Sequence, residues 1–374
     1  MTSRASVVLV FGGRSSEHEI SCLTASGVAR TIDTDAFEVH PVGISRDGTW
    51  HRISLAQLQQ LRARGRELPT VPADAEPVVL ISKGDRVVLA GLVGGHLTDE
   101  VDIDVAMTML HGPYGEDGTV QGQFEMLGIP YVGSGVAASA VGMDKHLMKV
   151  VLEASGLPVG PHEVIRDLDW VSDSEGCCER IVVALEFPLF VKPARGGSSL
   201  GISKVVAADQ LPRAIEKARV HDPKVLVEQG FVGAREIECA VLGPLPGTIT
   251  PRTSPCGEIV VNSQDGFYDF DAKYRPAANQ VDLQVPARIP DSVSDTVRQL
   301  AARSFDVLGC EGLARVDTFV TASGEVFVNE VNTMPGFTEL SMYPSLWQAA
   351  GMDYRDLITD LITQGLSRPN TAVR

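Results

Sequence analysis

Between Gly312 and Asn332 the chain reads GLARVDTFVTASGEVFVNEVN, two apolar runs that carry Arg315, Asp317, Glu330 and Asn332. A hairpin turning at Ser323 and Gly324 pairs Ala322 with Glu325. Counting outward sets Asp317 opposite Glu330 and Arg315 opposite Asn332. Side chains alternate along a strand, so all four share one face. Two carboxylates facing each other at about 5 Å repel. A cation between them relieves this, and the hard oxygens of Asp, Glu and Asn suit Mg²⁺. The alternative is a solvated sheet face on which Arg315 neutralises Asp317. The apolar flanks and the TMPGFT that follows fit it less well.

A second charged stretch is VKPARGGSSLG, residues 191–201. In a P-loop the glycines come first and a lysine follows at the mouth of a helix. Here Lys192 precedes the Gly-Gly-Ser-Ser turn and ISKVV follows as a strand. A Gly/Ser hairpin can fold over phosphates and offer backbone N–H groups without a helix. Lys145, in MDKHLMK, is a second candidate cation. Either lysine alone reads as a surface charge; together with the loop and a Mg²⁺ pair they suggest a triphosphate site.

The elements that must position these groups alternate strand and helix, the pattern of α/β and α+β layers. ASVVLVF (5–11) reads as a buried strand, followed by Gly12-Gly13 and a helix whose capping box is Ser16 and Glu19. A second buried strand, 103–110, ends at HGPYGEDG, with helix TVQGQFEML and a short strand IPYVG after it. From Ser134 the stretch to Gly156 reads as one helix, and strands PHEVI, FPLFVKP, GISKVV and KVLVEQ follow. REIECAVLG opens a third unit with Gly/Pro-rich 243–257, an exposed loop over 258–280, a helix at 291–308, the hairpin and a C-terminal helix. The expected domains are 1–133, 134–228 and 229–374.

The 374 residues exceed what one core serves. Net charge is −16, so an acidic surface disfavours nucleic acid, and cations for a polyphosphate must be local. No apolar run reaches the roughly 20 residues of a membrane span. The opening apolar run leads into a glycine turn and so reads as a strand, and the protein is expected to stay in the cytoplasm. Six cysteines without C-x-x-C spacing suit reduced thiols.

Seven segments in order, GGRSSEHEIS, HGPYGEDGT-QG, VGSGVAASAVGMDK, VKPARGGSSLG, FYDF-AKY, GLARVD and NEVNTMPGFT, resemble the D-alanine–D-alanine ligase family of the ATP-grasp superfamily. The resemblance implies an N-terminal doubly wound domain followed by two α+β ATP-grasp domains. It implies ATP-dependent joining of two D-alanines through a D-alanyl phosphate, in peptidoglycan precursor synthesis, by a homodimer.

Residue by residue, the resemblance gives Asp317, Glu330 and Asn332 to two Mg²⁺ ions, with Mn²⁺ as a substitute. Lys145, Lys192 and Lys273 neutralise the ATP phosphates. Glu228 and the backbone near Phe231 meet adenine, and Glu236 the ribose. Glu17 binds the first D-alanine's ammonium, near His111. Arg315 and the Gly336 N–H stabilise the oxyanion. Ser341 and Met342 take the second carboxylate. Ser198 and Tyr274 link the glycine loop to the lid loop 258–280 and on to Glu17.

Two alternatives remain within reach of the same residues: an ester-forming D-alanine–D-lactate ligase, which Tyr274 disfavours, and a non-catalytic ATP-binding regulator. A nicotinamide oxidoreductase is disfavoured, because residues 12–17 read GGRSSE instead of GxGxxG.

Overall fold

A computed structural model describes residues 4–368 apart from 64, 66, 73 and 262–280. Its first sheet runs β3-β2-β1-β7, with β1 (Ala5–Gly12), β2 (Phe37–Ile44), β3 (Trp50–Arg52) and β7 (Val105–Thr108). β1 is parallel to both β2 and β7. Its residues are apolar without alternation because both faces are buried. Val7, Leu9 and Phe11 join one core cluster; Val8 and Val10 join another.

The first face is covered by α1 (His18–Thr31), α2 (Leu55–Gln60) and two C-terminal helices, α10 (Met342–Ala349) and α11 (Tyr354–Leu366). The second is covered by α3 (Thr119–Leu127) and an antiparallel sheet of β4 (Val78–Lys83), β5 (Arg86–Val93) and β6 (His96–Ile103).

Four local expectations are corrected. Helix α1 is capped at Glu17 without a side-chain bond, and no Ser16/Glu19 box forms; Ser16 is exposed and Glu19 pairs with Arg46. The expected strand at IPYVG is an isolated bridge from Tyr131 to Ala106. The stretch from Ser134 to Gly156 holds two helices, α4 (Val136–Met143) and α5 (Lys145–Ala154), because Asp144 leaves helical geometry and caps the second by accepting from the Leu147 N–H. Residues 258–261 are not loop: they close β13 (Arg252–Val261).

The central sheet, order β10-β9-β11-β8, is antiparallel throughout: β8 (His162–Ile165), β9 (Leu189–Pro193), β10 (Ser203–Val205) and β11 (Val225–Gln229). β9 and β10 make the expected hairpin around the glycine loop. Leu189, Val191, Val225 and Val227 pack with α6 (Asp167–Ser172), α7 (Ser174–Ala184) and α8 (Leu211–Arg219). Alternation therefore puts Lys192 and Glu228 on the opposite face.

The third sheet, order β14-β13-β12-β15-β16, adds β12 (Arg235–Leu242), β14 (Val281–Gln284), β15 (Leu313–Val320) and β16 (Val326–Asn332). Ile237, Cys239, Val316 and Val328 pack on α5 and on α9 (Asp291–Val307). Here too one face is left for polar work.

Candidate active site

Arg315 lies opposite Asn332 and Asp317 opposite Glu330, the pairing read from the sequence. The route to it differs. The turn is longer than Ser323-Gly324: Val320 pairs with Val326, and the Thr321 N–H donates to the Glu325 carbonyl. That alone would shift the ladder by one residue. A bulge at Asn329 restores it, since Thr318 pairs with Val328 while Asp317 pairs with Glu330. Val326 and Val328 are buried in the core. Without the extra residue Glu330 would follow them inward; with it, Glu330 emerges on the face of Asp317.

β12 completes three cross-strand rows. Glu236, Phe319 and Phe327 form the first; Glu238, Asp317 and Glu330 the second; Ala240, Arg315 and Asn332 the third. Successive rows lie about 7 Å apart. At the first row Phe231 stacks on Phe327, centroids 4.7 Å apart, and tilts against Phe319 at 5.7 Å. A flat apolar platform thus adjoins an acidic row, which adjoins a guanidinium.

Arg315 donates Nε to Asp317 Oδ1 and Nη2 to Asp317 Oδ2, both at 2.6 Å. Burial disfavours its charge, but Asp317 and Glu238 outweigh this and hold its pKa well above the ordinary value. Asn332 Nδ2 donates to Asp317 at 3.0 Å, and Lys145 Nζ is 3.4 Å from Glu330. The like-charged pair is therefore balanced by Arg315 and Lys145, so the Arg315–Asp317 neutralisation weighed from the sequence does occur. It does not occur on a solvated face, since Asp317 is 9% exposed.

The donors also fit a divalent metal. Two opposed carboxylates and an amide oxygen are hard ligands, and Mg²⁺ leaves several positions to water and phosphate. Among the described residues no group of three or more His, Cys, Asp or Glu side chains is placed to hold an ion. A cation here would lean on non-protein oxygens.

Lys145 also donates Nζ to the Gly196 carbonyl at 2.7 Å, tying the acidic row to the glycine loop. Lys192 pairs with Glu228 Oε2, and Glu228 Oε1 is 2.9 Å from Lys149 Nζ. All three are buried. Burial pushes the Glu228 carboxyl up, yet the two ammonium groups dominate and bring its pKa to about 2.

At the other end of the loop, Ser198 Oγ donates to Glu17 Oε1, which fastens the loop to the N-terminal segment. Two glycines make room for this carboxylate. A Cβ on Gly112 would sit 2.5 Å from Glu17 Oε2, and one on Gly197 2.9 Å. His111 is buried, with Nδ1 3.3 Å from the Met334 carbonyl and Nε2 3.3 Å from Thr24 Oγ1. Burial lowers its pKa, opposed by the Glu17 charge, so the ring favours its neutral form. Ser341 caps α10 and its Oγ accepts the Thr338 N–H at 3.1 Å; a Cβ on Gly336 would lie 3.3 Å away. Met342 follows as the first residue of α10. Lys273 and Tyr274 lie outside the described residues, as does most of the lid loop.

The family described as D-ala D-ala ligase N-terminus matches residues 6–134, and its C-terminus counterpart residues 151–363. The chain belongs to the D-alanine–D-alanine ligase family. A relative from Arthrobacter sp. (strain FB24), named D-alanine–D-alanine ligase, is 49% identical over 97% of this chain and 94% of its own. The D-alanine–D-alanine ligase structure from Coxiella burnetii has a TM-score of 0.80 at 31% identity, covering 98% of this chain and 94% of that one. The VanG D-Ala:D-Ser ligase of Enterococcus faecalis also scores 0.80, at 32% identity, covering 97% and 100%.

Within this ligase fold the structure adds residues that the sequence reading passed over. Lys149 stands four residues after Lys145 on α5, so the K-x-x-x-K spacing puts both near one face. Glu238 stands two after Glu236 on β12, a spacing that marks the same face of a strand. Glu116 accepts the Gly112 N–H at 2.8 Å, and burial and then the Glu17 charge push its pKa well up. Thr338 has no signal beyond its neighbour Gly336. β6 is largely exposed and shows no apolar alternation, so its sequence carries no strand signal.

Proposed function

We propose that the protein joins two D-alanine molecules with ATP cleaved to ADP and phosphate, through a D-alanyl phosphate. One observation carries this most directly: the loop carrying Gly196 and Ser198 touches Lys145 on one side and Glu17 on the other. A phosphate under that loop and an ammonium on Glu17 would then be neighbours.

The platform of Phe231, Phe319 and Phe327 takes the adenine, with Glu228 at its edge and Glu236 on the ribose. Lys145 and Lys192 meet the phosphates, joined by Lys273. Asp317, Glu330 and Asn332 hold two Mg²⁺ ions, for which Mn²⁺ substitutes. Bound there, the metal supplies charge neutralisation at the transferring phosphoryl group.

Glu17 binds the first D-alanine's ammonium and His111, neutral, lines its carboxylate. That carboxylate attacks the γ-phosphorus, a step governed by positioning and charge. Ser341 and the Met342 N–H orient the second D-alanine, whose amine attacks the acyl carbon. Arg315 and the Gly336 N–H stabilise the oxyanion that forms. Ser198, with Tyr274, latches the lid loop 258–280 and excludes water from the acyl phosphate.

We further propose three domains, 1–133, 134–228 and 229–374, a homodimer, and a cytoplasmic role in peptidoglycan precursor synthesis. Among the described residues no helix is long and apolar enough to cross a membrane. The test is ADP release with D-alanine alone and with added D-lactate or D-serine, products separated by mass. The dipeptide as main product supports the reading; a depsipeptide or a D-alanyl-D-serine product in its place overturns the substrate assignment.

A further inference from the structure

Glu238 has no part in the mechanism above, yet it is 3% exposed and stands beside Asp317 and Glu330 in the acidic row. Burying a carboxylate costs several kcal/mol unless its charge is matched. The match is Arg315, whose Nε is 3.1 Å from Glu238 Oε2. The guanidinium is thus flanked by two carboxylates, with Asp317 holding both arms of the fork at 2.6 Å. Ala240, opposite Arg315 on the same strand as Glu238, offers no polar side chain of its own.

This sharing has a consequence that rests on the ligase reading. A divalent cation on Asp317 draws on the same two oxygens that now bind Arg315. An arginine that loses a bidentate partner loses the geometry that made it useful. One strand over, Glu238 already lies within ion-pair range on the other flank. We propose that Glu238 is a positioning residue: it receives Arg315 when Asp317 turns to the metal, and so keeps the guanidinium in the site for the oxyanion. Loading of the metal and placement of Arg315 are then one coupled rearrangement.

Glu238→Gln keeps the shape and removes the charge. Arg315 then stays on Asp317 and competes with the ion. The expected result is about tenfold weaker Mn²⁺ binding to the ADP-loaded enzyme by calorimetry. A fall in kcat accompanies it, and KM for the first D-alanine is unchanged. Glu238→Asp, which restores the charge, recovers most of the Mn²⁺ affinity. A residue needed only for folding gives a lower Tm with Mn²⁺ affinity within twofold of the parent, and that result overturns the proposal.

Should Glu238→Gln fail to fold, the parent protein crystallised with ADP and Mg²⁺ decides. Arg315 bonded to Glu238 and released from one or both oxygens of Asp317 is expected; Arg315 still bidentate on Asp317 with the ion bound overturns the proposal. Neither readout needs turnover. A parent inactive on D-alanine therefore counts against the ligase reading alone.

Discussion

Lys149→Met tests whether the buried charges behind the phosphate lysine are coupled as the geometry requires. Lys149 is 2% exposed and Glu228 7%. Methionine keeps most of the apolar stem, so the loss is chiefly one charge 2.9 Å from Glu228. The fall of the Glu228 pKa from 4.5 to about 2 is worth roughly 3 kcal/mol to the charged form, net of burial. Breaking a buried pair by removing one partner costs about 3–5 kcal/mol. Lys192 stays as a second partner, which favours the low end.

A loss of about 3 kcal/mol at pH 7 is expected, or a Tm lower by roughly 4 °C. The assay is urea or thermal unfolding of Lys149→Met, Glu228→Gln and the double variant. The double variant should be more stable than Glu228→Gln alone, because one of the two buried ammonium groups left without a carboxylate is gone. In Lys149→Met the lysine that serves phosphate is held more tightly by Glu228, so KM for ATP should rise. A loss under about 1 kcal/mol with an unchanged KM for ATP would refute the coupling.

Other outcomes follow from the same contacts. Gly112→Ala combines a φ of +71° with a Cβ 2.5 Å from Glu17 Oε2, and should raise KM for the first D-alanine about tenfold through roughly 1–2 kcal/mol of strain in steady-state assays. Glu330→Gln removes a charge from the acidic row and should lower kcat about 100-fold or more, with the Mg²⁺ requirement increased, read from ADP release against Mg²⁺ concentration. His111 has a folded pKa below its ordinary value. Its contribution to stability is therefore complete above about pH 6.5 and is lost as the pH falls from there toward the folded value. Between pH 7 and 5 the Tm of the parent should drop more than that of His111→Asn, and equal slopes would contradict the buried neutral ring.

The acidic row was legible because strand alternation is a strong local signal and because Asp, Glu and Asn on one face conflict with the apolar residues around them. The turn was misread by one residue and Asn329 cancelled the error. Nothing local marks a bulge when a polar residue precedes a glutamate in an apolar strand. The Ser16/Glu19 box failed for a different reason. Ser15, one position earlier, is engaged by the His111 carbonyl and the Glu17 N–H, and α1 starts later. Lys149 and Glu238 sat at readable spacings, but their partners come from β11 and β15, and cross-strand neighbours are set by tertiary assembly.

Oxygen transfer tests the central claim most directly. D-Alanine labelled with ¹⁸O in its carboxylate is incubated with the protein, ATP and Mg²⁺, and the phosphate released is weighed by mass spectrometry. A D-alanyl phosphate requires one labelled oxygen to leave with phosphate when the amine displaces it, alongside one D-alanyl-D-alanine per ADP. Unlabelled phosphate, or label found in AMP, would contradict the mechanism assigned to these residues.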